Sequence, residues 1–356
     1  MASKRKQHFV PRLYLRQFSN EPGHKSIGVW HLQKGIFVRN ASLKNQAYGV
    51  YFYGVDTKFE DALAQIEERF SQILKKITDT KQLPNHDSIE RVTLIVYLVY
   101  QAERTQRAAE ALNESIDKLV HIVFKEDERV KKDLPNLRVG IQNPAAFRLG
   151  VVSNILPVAM DLEMKLLWNK TVQEFVTSDN PVVKYNQFME SRKWPGGHDG
   201  WASVGLQVFF PISPSLCLVL YDKDIYRFGQ RSHDLVEIEK IDDIDKLNTL
   251  QLLNANQNLY FSRGIREEYV KRLHRLYSHK RRTDKMLVKE YYELNADPKV
   301  KRSLITSHAY NIKIGLSLSF IHQTKKSKHR QLGPSMANPR NPSILKLVEE
   351  DWKSKM

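Results

Sequence analysis

The sequence predicts an α+β fold: a helical N-terminal half packed with a small, mainly antiparallel sheet, followed by a basic C-terminal extension. Three observations carry this. From residue 59 to 77 and again from 92 to 124, apolar residues recur at helical spacing with no Pro or Gly among them. Between residues 174 and 221 the apolar runs are short and are separated by Asn180-Pro181, Pro195-Gly196-Gly197 and Pro211-Ile212-Ser213-Pro214, as strands and turns would be. From Arg266 to the end, 21 Lys and Arg face 9 Asp and Glu, a surplus of 12 that leaves only 4 of the net +16 for residues 1–265.

Taken in order, Val29-Trp30-His31-Leu32 and Ile36-Phe37-Val38 flank Gln33-Lys34-Gly35 as the strands of a hairpin. From Thr57, acidic residues precede a face made of Phe59, Leu63, Ile66, Phe70, Ile73, Leu74 and Ile77, which predicts a helix. Asp87 or Ser88 caps the next, expected as one long central helix through the Ala-rich stretch to Phe124. Residues 144–168 read as a third helical region, kinked or broken at Pro157. Strands are expected at 174–177, 182–185, 208–210 and 216–221, a helix over 242–262, a loop over 331–341 and a short helix over 343–352. Organisation follows the charge: a core of residues 1–265, a partly helical basic module of 266–330, and a loop with a last helix over 331–356.

Composition excludes several classes. With 41% hydrophobic residues the chain can bury a core, so a disordered or collagenous protein is excluded. The single Cys217 lies in an apolar run, as a small buried hydrophobe would, and predicts a cytoplasmic protein without disulfides or a structural zinc. The longest apolar stretch, residues 92–100, is about half the roughly 20 residues of a spanning helix, and the basic N-terminus leads into no apolar signal region. No Walker loop, dinucleotide glycine fingerprint, Gly-x-Ser-x-Gly elbow or His-Glu-x-x-His helix occurs, so no nucleotide-cofactor motif is present.

Chemistry-bearing residues form four groups. His8, Arg12 and Arg16 surround Pro11, which suits the first turn of a helix and puts both arginines on one face. They offer a general acid or base beside two anion-binding forks; bracing of the fold would use the same residues. Gln101, Arg104 and Thr105 share a helix face, and Glu60 and Glu67, seven apart, share another. Those carboxylates suit metal binding or proton transfer, or a buried ion network with Arg104 or Arg12. Asp179, at a strand end in Thr177-Ser178-Asp179-Asn180-Pro181-Val182, is either a magnesium ligand or an Asx-turn anchor. Arg302 and His308 have the spacing of a helical ribonuclease pair, a loose pattern.

In the basic segment, Lys271, Arg272, Arg275, Lys280, Arg281 and Arg282 interleave with Tyr269 and Tyr277, and Lys325 and Lys326 begin a second cluster. Such a surface binds the phosphate backbone of nucleic acid through counterion release. A solvated helix face, or a surface for an acidic protein, would have the same composition.

The opening from Gln7 to Phe18 resembles the start of the bacterial family known as domain of unknown function 4238. Phe59-Glu60, Ile66-Glu67, Gln101 to Thr105, Trp168, Phe175 to Val182, Pro211 to Pro214, Asn254 and Tyr260-Phe261-Ser262 follow its pattern in order, over about residues 7–265. Gln106 departs from it, since the family has Pro after Arg-Thr. The resemblance implies a fold unit without a reaction, and a role in defence or as a toxin by association.

These readings lead to a nucleic-acid-directed effector, with a metal-dependent nuclease as its enzymatic form. His8 is then acid or base, Arg12 and Arg104 bind phosphate, and Glu67 with Asp179 holds Mg²⁺. The alternative is a non-catalytic nucleic-acid-binding or docking subunit of a larger complex.

Overall fold

In the computed structural model, which describes residues 5–20, 23, 25–55, 58–292, 303–333 and 338–354, β1 (Lys6–His8), the single turn α1 (Arg12–Leu15) and the hairpin β2 (Ser26–His31) and β3 (Ile36–Ser42) open the chain. β4 (Tyr48–Val50) returns to pair antiparallel with β1. The helical spacing after residue 58 becomes α2 (Lys58–Thr80); Thr57 lies outside the described residues. Ser88 Oγ accepts from the Arg91 amide at 3.2 Å and starts α3 (Ile89–Glu103).

The single helix expected from there to Phe124 is two helices. Arg104 leaves helical geometry at φ −95°, ψ 4°, and Thr105 Oγ1 accepts from the Ala108 amide at 3.2 Å to begin α4 (Gln106–Phe124). The same hydroxyl donates to Asn180 Oδ1 at 2.9 Å, so a tertiary hydrogen bond, with no local Pro or Gly, holds the break. Gln106 is therefore the first helical residue, where proline is well accommodated. Thr105, at φ −79° and ψ 159°, already has the extended backbone that a following proline requires. Gln106→Pro should leave stability within about 0.5 kcal/mol of the parent by urea unfolding, since only the Gln106–Glu110 side-chain pair is lost.

α5 (Pro144–Gly150) and α6 (Val152–Ala159) follow, with Pro157 inside α6. The helical reading of 144–168 fails past Ala159, where α6 ends, and β5 (Glu163–Asn169) is a largely buried strand. An apolar run as short as Met164-Lys165-Leu166-Leu167-Trp168 has no period of its own, and its neighbours decide its state. β6 (Thr177–Ser178), β7 (Val183–Tyr185), α7 (Gln187–Ser191), β8 (Gln207–Pro211), β9 (Leu216–Tyr221), β10 (Tyr226–Phe228) and β11 (Leu235–Ile238) come next. The helix expected over 242–262 ends early: α8 (Ile241–Asn254) gives way to the strand β12 (Asn258–Phe261).

The central sheet has the order β11-β5-β9-β8-β7, antiparallel except for the parallel pair β11 and β5. Its inner strands β8 and β9 are buried along their whole length because both faces are covered. Leu166, Leu218, Leu220, Val208 and Phe210 point to a core shared with α2, α3 and α6, while Leu167, Cys217, Val219 and Phe209 point to a second core under α8. Burial raises the pKa of the Cys217 thiol. A second sheet, β3-β2-β12-β6, is antiparallel and packs beneath α9 (Glu267–Tyr277) through Trp30, Phe261, Tyr269, Val270 and Leu273.

The described parts of the basic segment are laid onto this core. α9 buries one face in it, and the hairpin β13 (Met286–Tyr292) and β14 (Ser303–Ala309) rests on α4, where Lys118 Nζ donates to the Met286 carbonyl at 2.8 Å. Leu316, Leu318 and Phe320 enter the second core, and β15 (Ile321–Gln323) pairs with β10. After α10 (Lys325–His329), Arg340 donates to Asp161 at 2.5 Å and α11 (Pro342–Ser354) packs on α6. The charge surplus thus marks a stretch of sequence whose apolar residues complete the core. Among the described residues no helix is long and apolar enough to cross a membrane.

Candidate functional site

Pairing of β1 with β4 sets His8 and Gln7 on opposite sides of the strand. Gln7 is buried: its Oε1 accepts from the Tyr53 amide at 2.7 Å and its Nε2 donates to the Gly54 carbonyl at 3.0 Å. His8 faces a cavity of about 270 Å³ whose walls include Arg12, Arg16, Tyr53, Glu60 and Glu67. Its Nδ1 lies 3.0 Å from the Gln46 carbonyl, which fixes the proton on Nδ1 and leaves the lone pair on Nε2. Burial lowers the His8 pKa, and the charges of Arg12, Lys6 and Arg104 add to this against the opposing Gln46 bond. These effects favour the neutral imidazole.

Arg104 stands behind Glu67. Its Nη1 donates to Glu67 Oε1 at 2.7 Å and its Nε to Gln101 Oε1 at 2.9 Å, while Gln101 Nε2 donates to the Phe9 carbonyl at 3.0 Å. Burial disfavours its charge, but Glu67, Tyr53 and Tyr97 outweigh this and raise its pKa. With its Nε and Nη1 engaged inside the fold, Arg104 holds Glu67 in place and does not itself line the cavity. Three of the five expected catalytic residues, His8, Arg12 and Glu67, meet in one cavity, with Arg104 supporting them.

Asp179 does not line that cavity. Its carboxylate accepts from the amides of Asn256 and Gln257, each at 2.7 Å, and of Asn258 at 2.9 Å, and so clamps the turn between α8 and β12. Burial pushes its pKa up to about 6, against those three amides and the charge of Arg281. This is neither of its two expected roles: the carboxylate bonds backbone 77–79 residues away instead of its own turn, and a Mg²⁺ ion shared with Glu67 does not fit this arrangement. Among the described residues, no three His, Cys, Asp or Glu side chains are grouped to hold a metal ion.

The basic residues lie on α9, just after it, and on α10. On α9, Lys271 pairs with Glu267 at 2.7 Å and Arg272 with Asp245 at 2.9 Å, while Arg275 is exposed. Lys280 lies over the Tyr277 ring and Arg282 over Tyr310. Arg281 turns inward and donates to the carbonyls of Ala255 and Asn256 at 2.8 and 2.9 Å. Lys325 is exposed on α10, and Lys326 pairs with Asp224 at 2.7 Å. Arg302 lies outside the described residues, and His308 borders a larger cleft elsewhere.

The motif residues scattered along the chain are joined by hydrogen bonds. Tyr14 Oη meets Thr177 Oγ1 and the Pro211 carbonyl, each at 2.6 Å; Thr105 reaches Asn180; Asn180 Nδ2 donates to the Asn254 carbonyl at 3.0 Å. The sequence profile of the family described as "Protein of unknown function (DUF4238)" matches residues 6–264. The chain belongs to this family. No curated protein and no solved structure matches it.

Within the DUF4238 span, several motif positions are thus tied by hydrogen bonds in three groups, Tyr14–Thr177–Pro211, Thr105–Asn180–Asn254 and Gln101–Arg104–Glu67, the last of which reaches the His8 cavity through Glu67. Tyr53, a wall of that cavity, belongs to no sequence motif. Its position depends on the turn after β4 and on Gln7, and periodicity does not report such a contact.

Proposed function

We propose that this DUF4238 protein is a nucleic-acid-directed effector whose reaction centre is the His8 cavity, cleaving a phosphodiester by acid–base catalysis. The observation that carries the reading is the meeting, in one small cavity, of a neutral, tautomer-fixed His8 with Arg12, Arg16 and Glu67 from three separate elements. In this reading His8 Nε2 takes the proton from an attacking hydroxyl as the P–O bond to the leaving oxygen breaks and that oxygen takes a proton from water, Arg12 holds the phosphate oxygens, and Glu67 is oriented by Arg104. The exposed lysines and arginines of α9 and α10 supply salt-dependent affinity for the backbone. The proposed setting is cytoplasmic, in defence or as a toxin, alone or with a protein partner.

The test incubates the full chain with single- and double-stranded RNA and DNA, with and without Mg²⁺ or Mn²⁺. His8→Ala is expected to lower the cleavage rate by about 10²–10⁴. Because the His8 pKa is lowered, the acid limb of the rate profile should lie below pH 6.5. Binding without degradation under all conditions, together with full cellular activity of His8→Ala, would leave the non-catalytic docking subunit. The fully engaged Asp179 carboxylate already favours that second reading for its own motif.

A further inference from the structure

A larger cleft of about 590 Å³ lies between α4, α5, β7 and β14, and it shares no wall residue with the His8 cavity. The junction of α3 and α4 separates the two: Glu103 borders the cleft, whereas Arg104 turns to Glu67. Two of its cations are neutralised, Arg148 by Glu103 and Lys285 by Glu110. Arg107 and Lys184 are different. Among the described residues neither makes a hydrogen bond or close ion pair, and Lys184 has only the Trp201 ring at 5.5 Å and the more distant charge of Asp199.

Burial lowers the pKa of both, against the more distant charges of Asp179, Asp199, Glu110 and Glu114 on Arg107 and of Asp199 on Lys184. Two further polar atoms on the cleft residues are buried without a partner, Arg148 Nε and Thr306 Oγ1. Those two atoms are costly to leave unsatisfied, and with the unpaired, half-buried Arg107 and Lys184 they converge from four elements on the space a ligand would fill. The first turn of α4, with Arg107 and Ala108 on the wall, adds the positive end of a 19-residue helix. Ala102, Val182, Met189 and Ile312 provide an apolar wall beside the cations. A guanidinium and an ammonium select phosphate, and the volume matches a small-molecule site.

We propose that this cleft binds a phosphorylated small molecule of mononucleotide size, with Arg107 and Lys184 on its phosphate oxygens and the apolar wall against its base or sugar. The site is assembled from separate elements, which is why no contiguous nucleotide motif announces it.

Thermal melting and calorimetry of the full chain with ATP, GTP, AMP and inorganic pyrophosphate test this. At least one nucleotide should raise the melting temperature, by roughly 5 °C at ~100 times its Kd. Arg107→Met and Lys184→Met should each weaken that nucleotide at least tenfold while leaving the unliganded melting temperature unchanged or higher, because each removes a recessed charge. His8→Ala should keep the full response, which separates this site from the proposed reaction centre. The proposal is overturned if no nucleotide binds, if pyrophosphate or a 20-nucleotide single strand binds and no mononucleotide does, or if both methionine variants keep wild-type affinity.

Discussion

Arg104→Ala is expected to lower unfolding stability by about 3–5 kcal/mol in urea titration. The side chain is 2% exposed and its Glu67 partner 23%, so the change leaves a carboxylate facing a void without its counter-charge. It also frees Gln101 Oε1 and weakens the tie from α3 to the Phe9 carbonyl. The double change Arg104→Met with Glu67→Met should recover a good part of the loss, because a buried pair replaced on both sides leaves no orphaned charge. A purely catalytic Arg104 would give another result: Arg104→Ala would melt like the parent and lose only activity.

Asp179→Ala should cost about 3 kcal/mol or more, since three backbone amides of the turn before β12 lose their acceptor at once. Its pH dependence has a definite sign. A carboxyl at about 6 in the fold, against 3.8 as the ordinary value, binds its proton more tightly folded than unfolded. The stability from this group is fully present below about pH 4 and is lost as the pH rises through 6. Asp179→Asn removes that dependence, so its deficit relative to the parent should shrink between pH 4.5 and 7.5. A constant deficit across that range would show that Asp179 is ionised throughout.

Much of the fold is legible in the sequence wherever the local signal is long. The face from Phe59 to Ile77 specifies α2, and Leu216 to Tyr221 reads as a strand and is one. The errors share a cause. Residues 163–168 and 258–261 are short apolar runs next to helices, and they become strands because β9 and β2 offer them hydrogen-bonding edges. The break at Arg104 and Thr105 is likewise invisible locally, because Asn180 holds it from 75 residues away. For the site, His8, Arg12 and Glu67 are legible as residue types at suggestive spacing, whereas Arg107, Arg148 and Lys184 show no shared pattern.

Sequence alone decides the α+β class, the DUF4238 membership and the location of the charge surplus, because periodicity, motif order and charge are properties of the chain read in line. The tertiary structure decides which polar residues meet. It puts His8 with Glu67, removes Asp179 to a backbone clamp and leaves Arg107 and Lys184 unpaired in a cleft. Burial and the hydrogen bonds that offset it depend on neighbours distant in sequence, and only the folded chain specifies those neighbours.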